Sequence, residues 1–262
     1  MSHRTVGLAC CVVIGSMSLI ALADKAMDED QAVMQHWATL SWEDAQKIED
    51  VENRYYAFSD SALTTGMAGD TEALEKRITV MTGMSQWMTM TMYNVTYQAF
   101  GDAGFAWGAC NQPEKVRQLV ETADEPLLKA TVLASGTYGL ATAGNLDAAK
   151  THVEKLEPMI EAMDFQALTR ELELDDLDET ESARQDAFLM MIQDWVGTLG
   201  MFNQPEKAMQ WIDRLQADDV KLDALMRLAW TLHWQGHKGP ALDEIVKQMI
   251  ETHDAVIAQD PE

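Results

Sequence analysis

Cysteine is scarce in this chain. Only three of its 262 residues are cysteine, and two of them, Cys10 and Cys11, lie in an apolar segment near the N-terminus. Cys110 is alone in the rest of the chain, so that part can form no internal disulfide. Without covalent crosslinks, the fold must be held together by its apolar core. A lone cysteine is either buried or links two chains, and both alternatives stay open.

Positive charge is scarce as well. The chain has 19 Lys and Arg against 43 Asp and Glu, which gives a formal net charge of −24. Nucleic acids and anionic lipids are bound by Lys and Arg side chains that replace their counterions. Such ligands are therefore excluded as partners, and we expect any partner to be a neutral, basic or apolar protein or peptide. The negative charge also favours solubility without any partner.

Catalytic motifs are lacking. The sequence contains no Gly-x-Ser-x-Gly, no phosphate-binding glycine-rich loop and no His-Glu-x-x-His. His233 and His237 have the spacing of metal ligands, but Gly236 is expected to end the helix between them. We therefore expect no enzymatic activity, no cofactor and no metal site at these histidines.

One long apolar run is present, from Val6 to Leu22, after the basic residue Arg4. It ends in Ala21-Leu22-Ala23, which has the small-x-small pattern of a cleavage site. Residues 1–23 are therefore predicted to be a cleavable signal peptide, and the chain to be exported to the periplasm or outside the cell. The alternative is a membrane anchor, although the run is short for a span. No later stretch predicts a membrane span.

The most informative feature of the sequence is an internal duplication. Asn-Gln-Pro-Glu-Lys occurs at 111–115 and again at 203–207, an offset of 92 residues. The same offset relates six further identical pairs: Gly108 and Gly200, Leu133 and Leu225, Leu140 and Leu232, Gly144 and Gly236, Ala149 and Ala241, Lys155 and Lys247. Each copy divides again, because 33 residues separate Asn111 from Gly144 and Asn203 from Gly236. This periodicity predicts repeated helix pairs.

The residues at these four positions are typical of helix boundaries. Asn111 and its counterpart are expected to cap the following helix with their side-chain oxygens. Pro113 and its counterpart fit a first helical turn, and Gly144 and its counterpart fit a left-handed helix stop. Five residues after each turn comes a small or apolar residue that is expected to lie between paired helices: Val116, Ala149, Ala208, Ala241.

The segment Gly144-Asn145-Leu146-Asp147-Ala148-Ala149 resembles the turn of a tetratricopeptide repeat, with its glycine and its small residue. The resemblance is clearest over residues 98–160 and 190–252. It implies an all-α fold in which residues 24–262 form one domain of about five antiparallel helix pairs, curved into an α-solenoid. It also implies a scaffold that binds a protein or peptide on its concave face.

Outside the duplicated part the pattern is looser. Glu43 to Ser61 is predicted to form one helix before a turn at Gly69, and the 42 residues from Gly69 to Asn111 require a longer second helix. Residues 168–181 are predicted to be an acidic connector, followed by a helix from about Ser182 to Leu199. Trp87 to Tyr93 alternates as a strand would, but a helix is favoured because no second strand is available to pair with it.

The resemblance places the first helix of each pair along the concave groove. Carried over by position, it predicts these groove residues: Phe105, Tyr138, Gln193, Met226, Trp230, His233, Trp234. Aromatic residues anchor many interfaces, but these aromatics could equally be ordinary core. A second hypothesis uses the five methionines between Met81 and Met92, because thioethers bind Cu(I). Methionine at helical spacing is more often flexible core.

Overall fold

The computed structural model describes residues 27–91, 95–165, 168, 179–215 and 217–259. This part of the chain is all-α and contains no strand. Its helices are α1 Met27–Ala45, α2 Val51–Met67, α3 Thr71–Thr91, α4 Thr96–Ala109, α5 Pro113–Thr122, α6 Pro126–Thr142, α7 Leu146–Glu161, α8 Glu179–Met201, α9 Pro205–Ile212, α10 Asp218–Trp234 and α11 Pro240–Gln259. The predicted signal peptide and most of the predicted acidic connector lie outside the described residues.

The helices pack in a regular order. The first helices, which we define as α2, α4, α6, α8 and α10, form a row in which each contacts the next. The second helices, α3, α5, α7, α9 and α11, pack against this row, and α1 covers α2. Helix α4 also contacts α8 directly, although α6 lies between them in the row.

Five turns between a first and a second helix have the same backbone geometry. One residue in each adopts the left-handed conformation, with φ between 55° and 79°: Gly69, Asn111, Gly144, Asn203, Gly236. The next amide donates to a carbonyl in the last turn of the preceding helix over 2.9 to 3.4 Å. This arrangement satisfies carbonyl groups that a helix end leaves without partners. The predicted stops at Gly144 and Gly236 are confirmed.

The predicted role of Asn111 and Asn203 is wrong. Helices α5 and α9 begin at Pro113 and Pro205, so the residues at the cap position are Gln112 and Gln204, which make no side-chain cap. The asparagines instead take the left-handed place that glycine occupies in the other turns. Asparagine tolerates this conformation better than most residues because its short side chain can hydrogen-bond locally.

Glycine brings the backbones of α4 and α6 into direct contact. A β-carbon at Gly108 would lie 2.2 Å from the carbonyl oxygen of Gly136, and one at Gly139 would lie 2.4 Å from that of Phe105. Gly104 faces the carbonyl oxygen of Val132 in the same way. We call this contact the glycine seam. No side chain larger than hydrogen fits at these positions without moving a helix.

The second helices close the core against the row. Val116, Ala149 and Ala208 are fully buried, as the repeat pattern predicts. Ala241 is exposed, contrary to the pattern. A second left-handed residue, Gly239, delays the start of α11 to Pro240, and Ile245 is buried there instead.

Two predicted boundaries need correction. Glu43 to Ser61 is not one helix, because α1 ends at Ala45 and Asp50 caps α2 by accepting from the amide of Asn53 over 2.9 Å. Helix α8 begins at Glu179, so the end of the predicted connector is helical. The longer helix expected after Gly69 is confirmed by the 21 residues of α3, which contain Trp87 in helical conformation. Tyr93 lies outside the described residues.

Candidate protein-binding face

Tyr138 of α6 lies where four first helices meet. Its ring centroid is 5.9 Å from that of Phe105 on α4, and the ring packs against Gly197 of α8. From α10, the guanidinium of Arg227 lies 5.1 Å from the ring centroid, and the hydroxyl of Thr231 is 3.4 Å from the tyrosine hydroxyl. Tyr138 is 1% exposed, whereas Phe105 is half-buried above it. Of these two predicted groove residues, only Phe105 reaches the surface.

The predicted groove residues of α10 have mixed exposure. Met226, Trp230 and Trp234 are half-buried, and His233 is exposed. The indole nitrogens of both tryptophans are covered by protein but have no hydrogen-bond partner. Neither tryptophan belongs to the buried core, so both keep accessible ring surface. Gln193 of α8 is also half-buried and donates to the carboxylate of Asp223 over 3.4 Å.

A row of carboxylates accompanies these residues on the first helices. Asp60 lies on α2, Asp102 on α4, Asp194 on α8 and Asp223 on α10. Removal from water raises the pKa of each, and of Asp186 on α8 too. We call Asp60, Asp102, Asp194 and Asp223 the acidic row.

The two middle members of the acidic row are held by serines from a neighbouring first helix. Ser59 donates to Asp102 over 2.5 Å, and Ser135 donates to Asp194 over 2.6 Å. Asp194 also lies 3.7 Å from a guanidinium nitrogen of Arg227. Burial raises the pKa of Asp102 to about 7, against the opposing effect of Ser59, and the charges of Asp60 and Asp194 raise it further.

Sequence reasoning missed the acidic row, although two signals were present. Asp102 and Asp194 are 92 residues apart, so they occupy the same position in the two copies of the duplicated unit. Asp102 is also the only charged residue in the whole of α4. A lone charge in an otherwise uncharged helix is costly to bury unless it has a partner, and Asp102 has one in Ser59.

The methionines of α3 do not share one environment. Met81 and Met88 are fully buried and Met84 packs against the same core, whereas Met90 is 78% exposed. Met92 lies outside the described residues. Buried methionine at this spacing fills an irregular core. Among the described residues, no group of three His, Cys, Asp or Glu is arranged to hold a metal ion.

Within the described part of the chain, no helix combines the length and the apolar character needed to cross a membrane. Comparison of the sequence with family models, curated proteins and solved structures finds no match.

Proposed function

We propose that this chain is an exported helical-repeat scaffold that binds a basic protein or peptide on the concave face of a curved α-solenoid. The curvature is inferred from the contact of α4 with α8. Two helices that are second neighbours in a row can touch only if the row bends toward them. The first helices then line the inside of the bend, and consecutive helices joined by tight turns run antiparallel.

The observation that carries this proposal is the acidic row. Four first helices each carry a partly desolvated carboxyl, and one of them, α4, also carries the half-buried Phe105. A desolvated carboxylate is stabilised by a cation, so a Lys or Arg side chain of a partner would lower the free energy of this face. The aromatic ring adds apolar and cation–π contact. Arg227 already occupies part of the row beside Asp194, which leaves Asp60 and Asp223 as the better-exposed contacts.

The charge argument is tested with peptides selected for binding to the chain from a random twelve-residue library. We expect selected peptides to be rich in Lys and Arg. Asp60→Asn with Asp223→Asn should weaken their binding about tenfold, since each lost charge contact is worth roughly 0.5–1 kcal/mol. The control, Glu121→Gln with Glu154→Gln, removes the same charge from exposed positions on second helices. If both double variants lose the same affinity for the peptides, the effect is due to net charge alone and the proposal is contradicted.

The contribution of aromatic side chains to binding is tested with two tryptophans of α10. Trp230→Ala and Trp234→Ala should each weaken binding of the same peptides up to about thirtyfold, which corresponds to roughly 2 kcal/mol for an interface anchor. Because both side chains keep accessible surface, the unfolding temperature should change little. If these residues are core, truncation instead costs about 3–5 kcal/mol of stability, and the binding face must lie elsewhere.

Export is tested by N-terminal sequencing of the chain recovered from cells that express the full gene. We expect it to begin at Asp24. Recovery of a chain that retains Met1 would contradict both the predicted cleavage and the assigned location.

A further inference from the structure

Asp102 is a carboxyl group of α4 that is hydrogen-bonded to α2, and it directly follows a glycine that contacts α8. It accepts a hydrogen bond from Ser59 on α2. Its own helix α4 contacts α8 through Gly101, where an added β-carbon would lie 2.2 Å from the sulfur of Met190. Asp194 follows Met190 by one helical turn on α8. Asp102 and Asp194 therefore each lie within one helical turn of the contact between α4 and α8.

The charged groups that act on Asp102 from the neighbouring first helices are both acidic: Asp60 on α2 and Asp194 on α8. Helix α6 contributes Ser135, which donates to Asp194, and its one charged residue, Lys129, lies in its first turn. Arg227 on α10 is directed at Asp194 and Tyr138.

The remaining helices against α4 direct their cations elsewhere. Arg77 of α3 is bound by the carbonyl of Ala38 and by Ser61. On α5, Lys115 pairs with Glu75 of α3, and Arg117 pairs with Glu114 of its own helix.

We propose that Asp102 is a pH-sensitive brace: protonated, it holds α2, α4 and α8 together, and ionised, it repels Asp60 and Asp194 and opens the bend of the row. The neutral carboxyl keeps the Ser59 hydrogen bond without adding charge. Ionisation adds a negative charge that acts on Asp60 and Asp194, and among the described residues only Asp194 of these three carboxyls has a cation, Arg227, beside it. This brace acts whether or not the concave face binds a partner.

The raised pKa of Asp102, about 7, sets the pH at which the brace responds. The hydrogen bond from Ser59 favours the ionised form and opposes this rise. Removal of that hydrogen bond should therefore move the response to higher pH. The brace is thus distinguishable from a general response of an acidic chain, which no single serine would shift.

The test measures the radius of gyration of the folded chain by small-angle X-ray scattering between pH 5 and 9. We expect an increase of a few per cent with a midpoint near pH 7. Asp102→Asn, a mimic of the neutral carboxyl, should stay at the low-pH value. Ser59→Ala should respond at higher pH, and Glu154→Gln, a control on α7, should respond as the unchanged chain does. A radius that is constant with pH in the unchanged chain, or that responds equally in Asp102→Asn and Ser59→Ala, would overturn the proposal.

Discussion

At the scale of the residue, the effects of backbone conformation and of available space on stability can be measured separately in this chain. Gly144 has φ 79° and Gly83 lies inside α3, and neither has any atom within 4 Å of an added β-carbon. Gly144→Ala should therefore cost about 1–2 kcal/mol through the left-handed backbone alone. Gly83→Ala should stabilise the chain by about 0.5–1 kcal/mol because alanine favours the helix.

Urea unfolding of both variants measures these two changes. A gain in stability for Gly144→Ala would contradict the shared left-handed geometry of the five turns. A loss for Gly83→Ala would contradict the helical assignment at that position of α3.

The error at Asn111 shows what a sequence motif can decide. Asparagine serves both as a helix cap and as a left-handed stop, and its identity alone favours neither role. The deciding residue is Pro113. A proline at the first helical position places the cap at the preceding residue, Gln112, so Asn111 must lie before the cap. Asn145, which has no proline after it, does cap its helix and accepts from the amide of Ala148 over 3.1 Å.

At the scale of the element, the duplicated unit offers a matched pair of alanines. Ala149 is fully buried on α7, whereas Ala241, 92 residues later, is exposed on α11. Ala149→Leu should cost about 1–3 kcal/mol because the added methylenes overpack a closed contact. Ala241→Leu should change stability by no more than about 0.5 kcal/mol. Thermal unfolding measures both, and tolerance of Ala149→Leu would contradict the packing of α7 against α6.

A substitution in the glycine seam should destabilise the chain more than Ala149→Leu does. Gly108→Ala places a β-carbon 2.2 Å from the carbonyl oxygen of Gly136. Because this oxygen belongs to the main chain of α6, it cannot rotate away as a side-chain atom could. We expect a loss of about 3 kcal/mol or more, at the upper end for overpacked cores. Chemical denaturation should show it beside Gly83→Ala as the control. A loss below about 1 kcal/mol would mean that α4 and α6 are further apart than described.

The helices were largely predictable from the sequence, but the seam was not. Apolar spacing and turn residues mark α6 and α10, since both depend on neighbours along the chain. Glycine inside a helix is locally unfavourable, so Gly104, Gly108 and Gly139 have no explanation within one element. Their reason is the backbone of another helix, and a pattern within one helix contains no information about that distance.

At the scale of the whole molecule, the carboxyl groups set how stability depends on pH. Burial raises the pKa of five of them above the ordinary 3.8, that of Asp102 to about 7. The folded chain therefore holds protons that the unfolded chain releases, and its stability should fall as pH rises from about 4 to 7. His152 acts in the opposite direction, because burial lowers its pKa below 6.5, but it is one group against five.

Unfolding temperatures at pH 5 and pH 7.5 test this balance. We expect the lower value at pH 7.5, and a smaller difference in Asp102→Asn. Greater stability at pH 7.5 would mean that these carboxyls are better solvated than described. The net charge of −24 works in the same direction, since self-repulsion grows as carboxyls ionise.

The candidate binding face was only partly predictable. Resemblance identified the first helices and named Phe105, Trp230 and Trp234, all of which keep exposed surface. It could not separate them from Tyr138, which is buried where four helices meet. Asp102 and Asp194 were hidden among 43 acidic residues. Only their surroundings distinguish these two carboxyls from the other acidic residues. Each is hydrogen-bonded to a serine of a neighbouring first helix and is largely removed from water.

The glycine seam also has a mechanical consequence. Where side chains separate neighbouring helices, the helices can slide past one another, because the side chains can change rotamer. Between α4 and α6 the backbones touch, and Gly66 brings α2 against the backbone of Ala106 on α4 in the same way. These joints have little compliance, so a stretching force would be taken up by α1 at one end and by α10 and α11 at the other. Pulled from its termini, the chain should unravel from its ends and yield last at its middle.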